Sequence, residues 1–304
     1  MEPMQIATKR ISRDCKRYSF TSHDSPMVTI EPGETLEIET HDARSGTIRK
    51  PSDLLDKPPP GGFNPVTGPI YVNGAEPGDS LLVLIKKIEL DSQGFTAIKA
   101  KVGLLGERAP QFKTRIIKIE RGWCEFSEQV RFPVRSMVGT IGVAPASGEI
   151  AALYPGPHGG NMDNNEVRTG CTVHLPVQVT GALLSVGDVH ASMGDGEVTM
   201  IGLEIPAVVT LTVNVQKGED ASRPWIETDD GKWITTGDDL DMATASRIAC
   251  DEMVNLLMKK LSLSFEDAYM LASVRADLRI CQSCDPGKLP VTTRMEYQHT
   301  REVR

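Results

Sequence analysis

The sequence predicts a mainly β protein: a β-sandwich body of jelly-roll-like type followed by a C-terminal α+β portion. Short runs of β-branched and apolar residues recur, several with polar–apolar alternation, and Gly/Pro turns separate them. Many short strands with such turns suit a sandwich or a barrel. After about residue 216 the pattern changes to helical spacing, which sets the expected division into a body, 1–216, and a C-terminal portion, 217–304, packed on it as one unit.

Taken in order, residues 27–30 (MVTI) are compact and β-branched, and 35–39 (TLEIE) alternate as a half-buried strand does. Residues 80–90 form a longer apolar strand, and 114–120 (TRIIKIE) a partly alternating one. Residues 198–205 and 208–215 complete the set, with Val209, Leu211, Val213 and Val215 on one face. Residues 31–36 (EPGETL) and 76–81 (EPGDSL) share turn chemistry: proline fixes φ and glycine supplies the positive φ. Residues 217–230 are polar and turn-like. Residues 239–261 then carry a helical stripe of Ala245, Ala249, Met253, Leu256 and Leu257. Ser264-Phe265-Glu266-Asp267 resembles a capping box and opens a second helix to about Val274. A strand is expected at 278–281. The polar tail after Asp285-Pro286-Gly287 is expected to wrap the body or fray.

The 304 residues, 39% of them hydrophobic, are enough for a large core. A formal net charge of −8 argues against nucleic-acid and membrane-surface partners, which need a basic footprint. No apolar run approaches the roughly 18–20 residues of a membrane span, and residues 1–4 (MEPM) lack a secretory pattern, so a cytoplasmic location is expected. The six cysteines are widely spread, which argues against a disulfide framework. Cys281-Gln-Ser-Cys284 is a lone CxxC without the second pair a structural zinc site needs, so two ordinary reduced thiols are expected.

Polar residues crowd two glycine-rich stretches, 155–163 (PGPHGGNMD) and 187–197 (GDVHASMGDGE), both read as loops between strands. The second offers one imidazole and three carboxylates. Asp188 and His190 share a face in extended chain, and the Gly194–Glu197 turn can bring Glu197 back to His190. Imidazole with carboxylates is an ordinary ligand set for a divalent metal. Such a metal lowers the pKa of bound water to about 7 and polarises a carbonyl. Amide cleavage also needs a carboxylate acid/base to protonate the leaving nitrogen. The plainer reading of both stretches is a pair of solvated turns, and residue composition leaves the two readings open. A third candidate, His41-Asp42-Ala43-Arg44-Ser45-Gly46, sits at the exit of the 35–39 strand.

Other hydrolase signatures are missing: there is no G-x-S-x-G, no H-E-x-x-H and no P-loop. Cys171 with His174 or His190 as base is an alternative nucleophile, although a cysteine beside a strand is more often core. His174 reads as a satisfied core or rim histidine, and His23 and His299 have no company that forms a known constellation.

At these residues the chain resembles the acetamidase/formamidase family over nearly its whole length. The matching blocks are Pro32-Gly33-Glu34 with Asp42, residues 64–72 (NPVTGPIYV), Glu76-Pro77-Gly78-Asp79, Gly142-Val143-Ala144-Pro145, Gly159–Asp163, Gly187–His190 with Gly194–Glu197, and Leu278-Arg279-Ile280 with Asp285-Pro286. The resemblance implies hydrolysis of a short amide such as acetamide or formamide to carboxylate and ammonia, a β-sandwich with an α+β C-terminal part, a bound divalent metal and a homodimer. Carried over residue by residue, it implies roles for Asp42, Asp163, His190 and Glu197. The expected assignment puts Asp42, Asp163 and His190 at the metal, with zinc expected first and calcium second. Glu197 is the general base, with Asp163 interchangeable with it, and the backbone N–H groups of Gly159 and Gly160 serve the oxyanion. Two features depart from the family's pattern. Met193 stands where formamidase-like members often have Gln, which resembles the shorter acetamidase-like branch, and the CxxC is unlike the family's usual stretch. Besides a Cys171 hydrolase, the remaining alternative is a non-catalytic metal-stabilised β-sandwich binding module.

Overall fold

The structure, a computed structural model, describes residues 9–219, 221–284 and 287–299. Its spine is a nine-stranded sheet in the order Lys9–Ile11, Thr35–Thr40, Ala207–Gln216, Ser80–Leu90, Thr172–Pro176, Trp225–Glu227, Lys232–Asp239, Val291–Gln298, Ala276–Gln282. The strand Ala207–Gln216 lies antiparallel to both neighbours, with Val209 opposite Ile38 and Ile88. Its alternation buries Val209, Leu211 and Val213 on the inner face, as the period of two requires. A second sheet of seven strands runs Pro155–Gly156, Gly159–Asn161, Met137–Gly142, Leu184–His190, Val66–Val72, Lys16–Arg17, with Val28–Ile30 also paired to Val66–Val72. The apolar faces of the two sheets share one core, in which Leu36, Ile38 and Leu211 meet residues such as Val138, Ile141 and Val186. This is the mainly β sandwich the sequence predicts. A four-stranded sheet (Arg131–Pro133, Trp123–Glu125, Lys113–Glu120, Gln93–Ile98) flanks it.

The nine-stranded sheet crosses residue 216 without a break, because Trp225–Glu227 pairs with Thr172–Pro176. Helices α1 (Met242–Leu261) and α2 (Phe265–Arg275) cover its C-terminal strands. The expected stripe of α1 is buried at all five positions. Asp241 caps α1 by accepting from Thr244 N, and the Ser264 side chain accepts from Asp267 N, which is the N-cap half of the box read there. No described helix is long and apolar enough to cross a membrane.

Two expectations are corrected. Residues 198–205 do not form a strand. Leu203 and Ile205 are buried as the alternation suggests, but Glu197 and Met200 take φ of 40° and 76°, which a strand cannot continue through. Residues 187–190, read as a loop, belong to the strand Leu184–His190, in which all seven residues are buried. A strand covered on both faces loses the alternation that would mark it. Of the two expectations for the tail, wrapping holds over its described residues: Val291–Gln298 is an interior strand between Lys232–Asp239 and Ala276–Gln282. Asp285 and Pro286, and the leading residues 1–8, lie outside the described residues.

Candidate active site

The strand Leu184–His190 carries the first two groups. Met137–Gly142 pairs along one side of it, while Val66–Val72 pairs only its residues 184–187. Beside Asp188 and His190 the other flank is the segment 203–205, with Ile205 N donating to Val189 O (3.1 Å) and Ala191 N to Leu203 O (2.8 Å). They share a face as the sequence suggests, with His190 Nε2 3.6 Å from Asp188 Oδ1. Asp163 arrives just after the strand Gly159–Asn161, its N–H donating to Gly139 O at 3.1 Å. Two glycines make the crowding possible. A Cβ on Gly139 would stand 2.7 Å from Asp163 Oδ1, and one on Gly202 would stand 2.7 Å from His190 Nδ1.

Glu197 comes from the Gly194–Glu197 turn, whose position depends on the C-terminal portion. Gly196 N donates to Cys281 O (2.9 Å) and Ser283 N to Gly196 O (2.8 Å). Arg294, almost wholly buried in the last strand, grips Asp195 through Nη1 (2.9 Å) and Nη2 (3.1 Å). Such a two-point guanidinium grip fixes direction as well as distance. Glu204 sits in the irregular segment that replaces the expected strand. Backbone bonds exchanged with Phe95 hold it (2.9 and 2.8 Å), and its Oε1 lies 3.2 Å from His190 Nε2.

These residues make two overlapping sets, Asp163–His190–Glu197 and Asp188–His190–Glu204, in each of which one donor atom per residue lies within 4.8 Å of the others. All five side chains are buried. Burial pushes the Asp163 carboxyl well above its usual range, with Glu197 and Asp188 adding to the rise. Burial likewise raises Glu197, against the pull of His190, and takes Glu204 up to about 8. Burial disfavours the His190 imidazolium, but the neighbouring Glu204 and Asp188 outweigh it and hold the ring's pKa well above normal. Four carboxylates around one imidazole in a dry volume need protons or a cation to offset their charge.

The hydrogen bonds suit a cation. Asn64 Nδ2 donates to Asp188 Oδ2 (2.8 Å), and Asn161 Nδ2 to Asp163 Oδ2 (2.7 Å). Thr140 Oγ1 and Asn64 Nδ2 both donate to Asn161 Oδ1, at 2.7 and 3.1 Å. One oxygen of each aspartate is therefore fixed. The other, Oδ1 in both, is buried without a hydrogen-bond partner, as is Nδ1 of His190, while Nε2 of His190 faces Glu204 Oε1 at 3.2 Å and Asp188 Oδ1 at 3.6 Å. Buried acceptors left open in two sets that share His190 are what a cation's ligands look like before it is added.

The remaining expected residues fall elsewhere. Asp42 is buried, and its Oδ1 accepts from Arg44 N (3.0 Å) and Gly46 N (2.9 Å). It shapes its own loop and belongs to neither converging set. That loop brings Ala43 N to 3.4 Å from Glu204 Oε2. Gly159 and Gly160 lie in the sheet between Pro155–Gly156 and Met137–Gly142. Neither lines the cavity beside the cluster, although Asn161 next to them does. Cys171 is buried in the sandwich core, and burial pushes its thiol up to about 12, so it lacks the exposure and low pKa of a nucleophile.

The sequence reading missed Glu204, Asn64, Asn161 and Cys284. Glu204 had a signal, a carboxylate inside the apolar run IGLEIP. Cys284 had one too, in the unusual CxxC. Its single S–H lies between two acceptors, Glu197 Oε2 (3.2 Å) and Gln282 Oε1 (2.9 Å), so this thiol is not incidental. Burial and the Glu197 charge raise its pKa, keeping it the protonated donor. The cluster forms one wall of a cavity of about 290 Å³ that Asn64, Asn161, Asp163, Asp188, Glu197 and Glu204 all reach.

A sequence model described as the Acetamidase/Formamidase family matches residues 20–154 and 149–293. The acetamidase of Bacillus halodurans is 36% identical, with a TM-score of 0.91 over 95% of this chain and 96% of its own. The predicted acetamidase/formamidase of Thermoanaerobacter tengcongensis is 37% identical, with a TM-score of 0.91 over 95% of each chain. A formamidase of Methylophilus methylotrophus is 27% identical over 255 residues, 64% of this chain and 62% of its own. The chain spans 61–63% of the length of the curated relatives it matches.

Proposed function

The chain belongs to the acetamidase/formamidase family, and from that premise we propose that it hydrolyses a short-chain amide to carboxylate and ammonia with the help of a divalent cation. The observation that carries this reading is the buried convergence of Asp163, Asp188, Glu197 and Glu204 on His190 at the wall of a cavity. Asp163, Asp188 and His190 would hold the cation through their open donors. Zinc is preferred to calcium because calcium takes an all-oxygen shell and this set includes an imidazole. When bound, such an ion lowers the pKa of water and polarises the amide carbonyl.

The chain's own groups do the rest. Asn64 and Asn161 hold the two aspartates in register. Glu197 reaches the cavity, carries a raised pKa and is steadied by Cys284, so it is suited to take a proton from the attacking water and return it to the leaving nitrogen. Asp42 acts indirectly, by setting the loop that meets Glu204. The cysteines are free, which suits the reducing cytosol. A homodimer belongs to the same reading. The sheet's edge strand Ala276–Gln282, beside exposed Phe265, Tyr269, Val274 and Leu278, offers a second copy an apolar surface, and light scattering tests it.

Elemental analysis of the purified protein, with ammonia release measured on formamide, acetamide and propionamide before and after chelation, tests the proposal. Bound zinc, activity lost on chelation and recovery on adding zinc are the expected results. A cation that raises Tm without ammonia from any amide would instead favour the non-catalytic binding module.

A further inference from the structure

The cavity beside the cluster is larger than a one- or two-carbon amide requires. Its volume is about 290 Å³, near the lower end of pockets that enclose drug-sized ligands. Acetamide has four non-hydrogen atoms and displaces only a few waters. At ~30 Å³ per water that is roughly 100 Å³, which leaves space for about six more groups of that size.

The chemistry of the walls says what would fill that space. Much of the polar lining is gathered at the cluster, where Asn64, Asn161, Asp163 and Asp188 are bonded to one another, while Arg44, Lys99 and Gln282 also reach the cavity. Beyond it the lining includes Leu55, Phe63, Leu153, Tyr154, Ile201 and Leu289. Water held against such walls lacks the two to four polar partners it needs. An apolar group would displace it favourably. Two parts of the wall are held firmly: Leu55 packs in a buried cluster with Ile48, Phe95 and Ala97, and the Arg44 guanidinium stacks 5.3 Å over the Phe63 ring. Leu289 comes from the C-terminal portion, close to the CxxC that departs from the family's pattern.

We propose that the substrate is a primary amide with an apolar acyl group of about six to eight carbons, aliphatic or aryl-alkyl, cleaved with water to the matching carboxylate and ammonia. This inference rests on the amide-hydrolase reading above and departs from it in the acyl group alone, which it makes longer than the short chain proposed there. The amide group sits at the carboxylate cluster and the acyl chain lies along the apolar walls. Burial of each methylene is worth roughly a fourfold gain in kcat/KM, so four more of them should put hexanamide above acetamide by about 250-fold when all are buried.

The test measures kcat/KM by ammonia release with formamide, acetamide, butanamide, hexanamide and phenylacetamide on the zinc-loaded protein. A rise of tenfold or more from acetamide to hexanamide or phenylacetamide is expected. Activity confined to formamide and acetamide would overturn the acyl-size inference and leave the hydrolase reading standing. No ammonia from any of the five would overturn both. Leu153→Trp, which shortens the apolar part of the cavity, should lower the hexanamide-to-acetamide ratio at least fivefold. Leu153→Phe should act in the same direction if the larger side chain impairs folding. An unchanged ratio in folded variants would show that the acyl group does not lie there.

Discussion

Gly139→Ala adds a single methyl group where the candidate site is most crowded. Gly139 is buried in the strand Met137–Gly142, and its missing Cβ is the space into which Asp163 and Asp188 fit. The new carbon would lie 2.7 Å from Asp163 Oδ1, 2.8 Å from the Asp188 carbonyl oxygen and 3.0 Å from Asp188 Oδ2. Comfortable contact begins near 3.5 Å, so something must move by roughly 0.7 Å. The Asp163 side chain can rotate, but the Asp188 carbonyl is backbone between Gly187 and Val189, which pair with Thr140 and Val138 of the same strand as Gly139. Overpacking of this kind costs about 1–3 kcal/mol, a fall in Tm of several degrees for a domain of this size. Displacing the two aspartates should also weaken cation binding by about 10- to 100-fold, the usual range when ligand orientation is lost. At a cation concentration 100-fold above the wild-type Kd, binding stabilises the wild type by about 2.7 kcal/mol, and the variant should lose half or more of that. The assay is thermal unfolding of both proteins with chelator and with a zinc series. If Gly139→Ala melts at the wild-type temperature and shows the same zinc-induced shift, the two carboxylates do not converge as described and the cation site is refuted.

Other outcomes follow from the same geometry. Glu197→Gln should keep its cation content and lose at least 100-fold in turnover, as removal of a general base does; unchanged turnover removes Glu197 from that role. Cys284→Ala should lower kcat several-fold with little change in cation content, because it deletes the donor to Glu197 Oε2. Cys284→Ser should recover most of the loss, and failure of that rescue would reduce Cys284 to a packing residue. His158 is buried against the Phe20 ring, and burial lowers its pKa from 6.5 to about 4. Below about pH 6.5 the unfolded chain takes up a proton there and the folded chain does not until about pH 4, so stability falls across that window by up to about 3 kcal/mol. Urea unfolding at pH 7 and pH 5 reads this. A His158→Phe variant that keeps the full wild-type pH dependence would show that another group carries it.

What could be read from the sequence was whatever depends on neighbours along the chain. Val209, Leu211 and Val213 announce their strand because a sheet with one buried face imposes a period of two. Asp241 and Ser264 stand where helix starts need side-chain acceptors. Asp163, His190 and Glu197 stood out because carboxylates and an imidazole crowded among glycines have few structural reasons to be there. The strand Leu184–His190 was hidden by being buried on both faces, which makes its acids look like part of a loop. Glu204 was hidden by the opposite effect, an acid set in an apolar alternation that imitates a strand.

The sequence by itself determined the β-rich class, the two helices with the cap at Ser264, and three of the five residues at the cluster. Tertiary structure alone decided which distant groups meet. Asp188 faces Asp163 because the intervening strand carries glycine at 139, and Glu197 is aimed by Cys284 and Arg294 from the far end of the chain. Sequence patterns report local geometry, whereas a cation site is built from donors whose separation in space bears no relation to their separation along the chain. Only the packed sheets fix that distance.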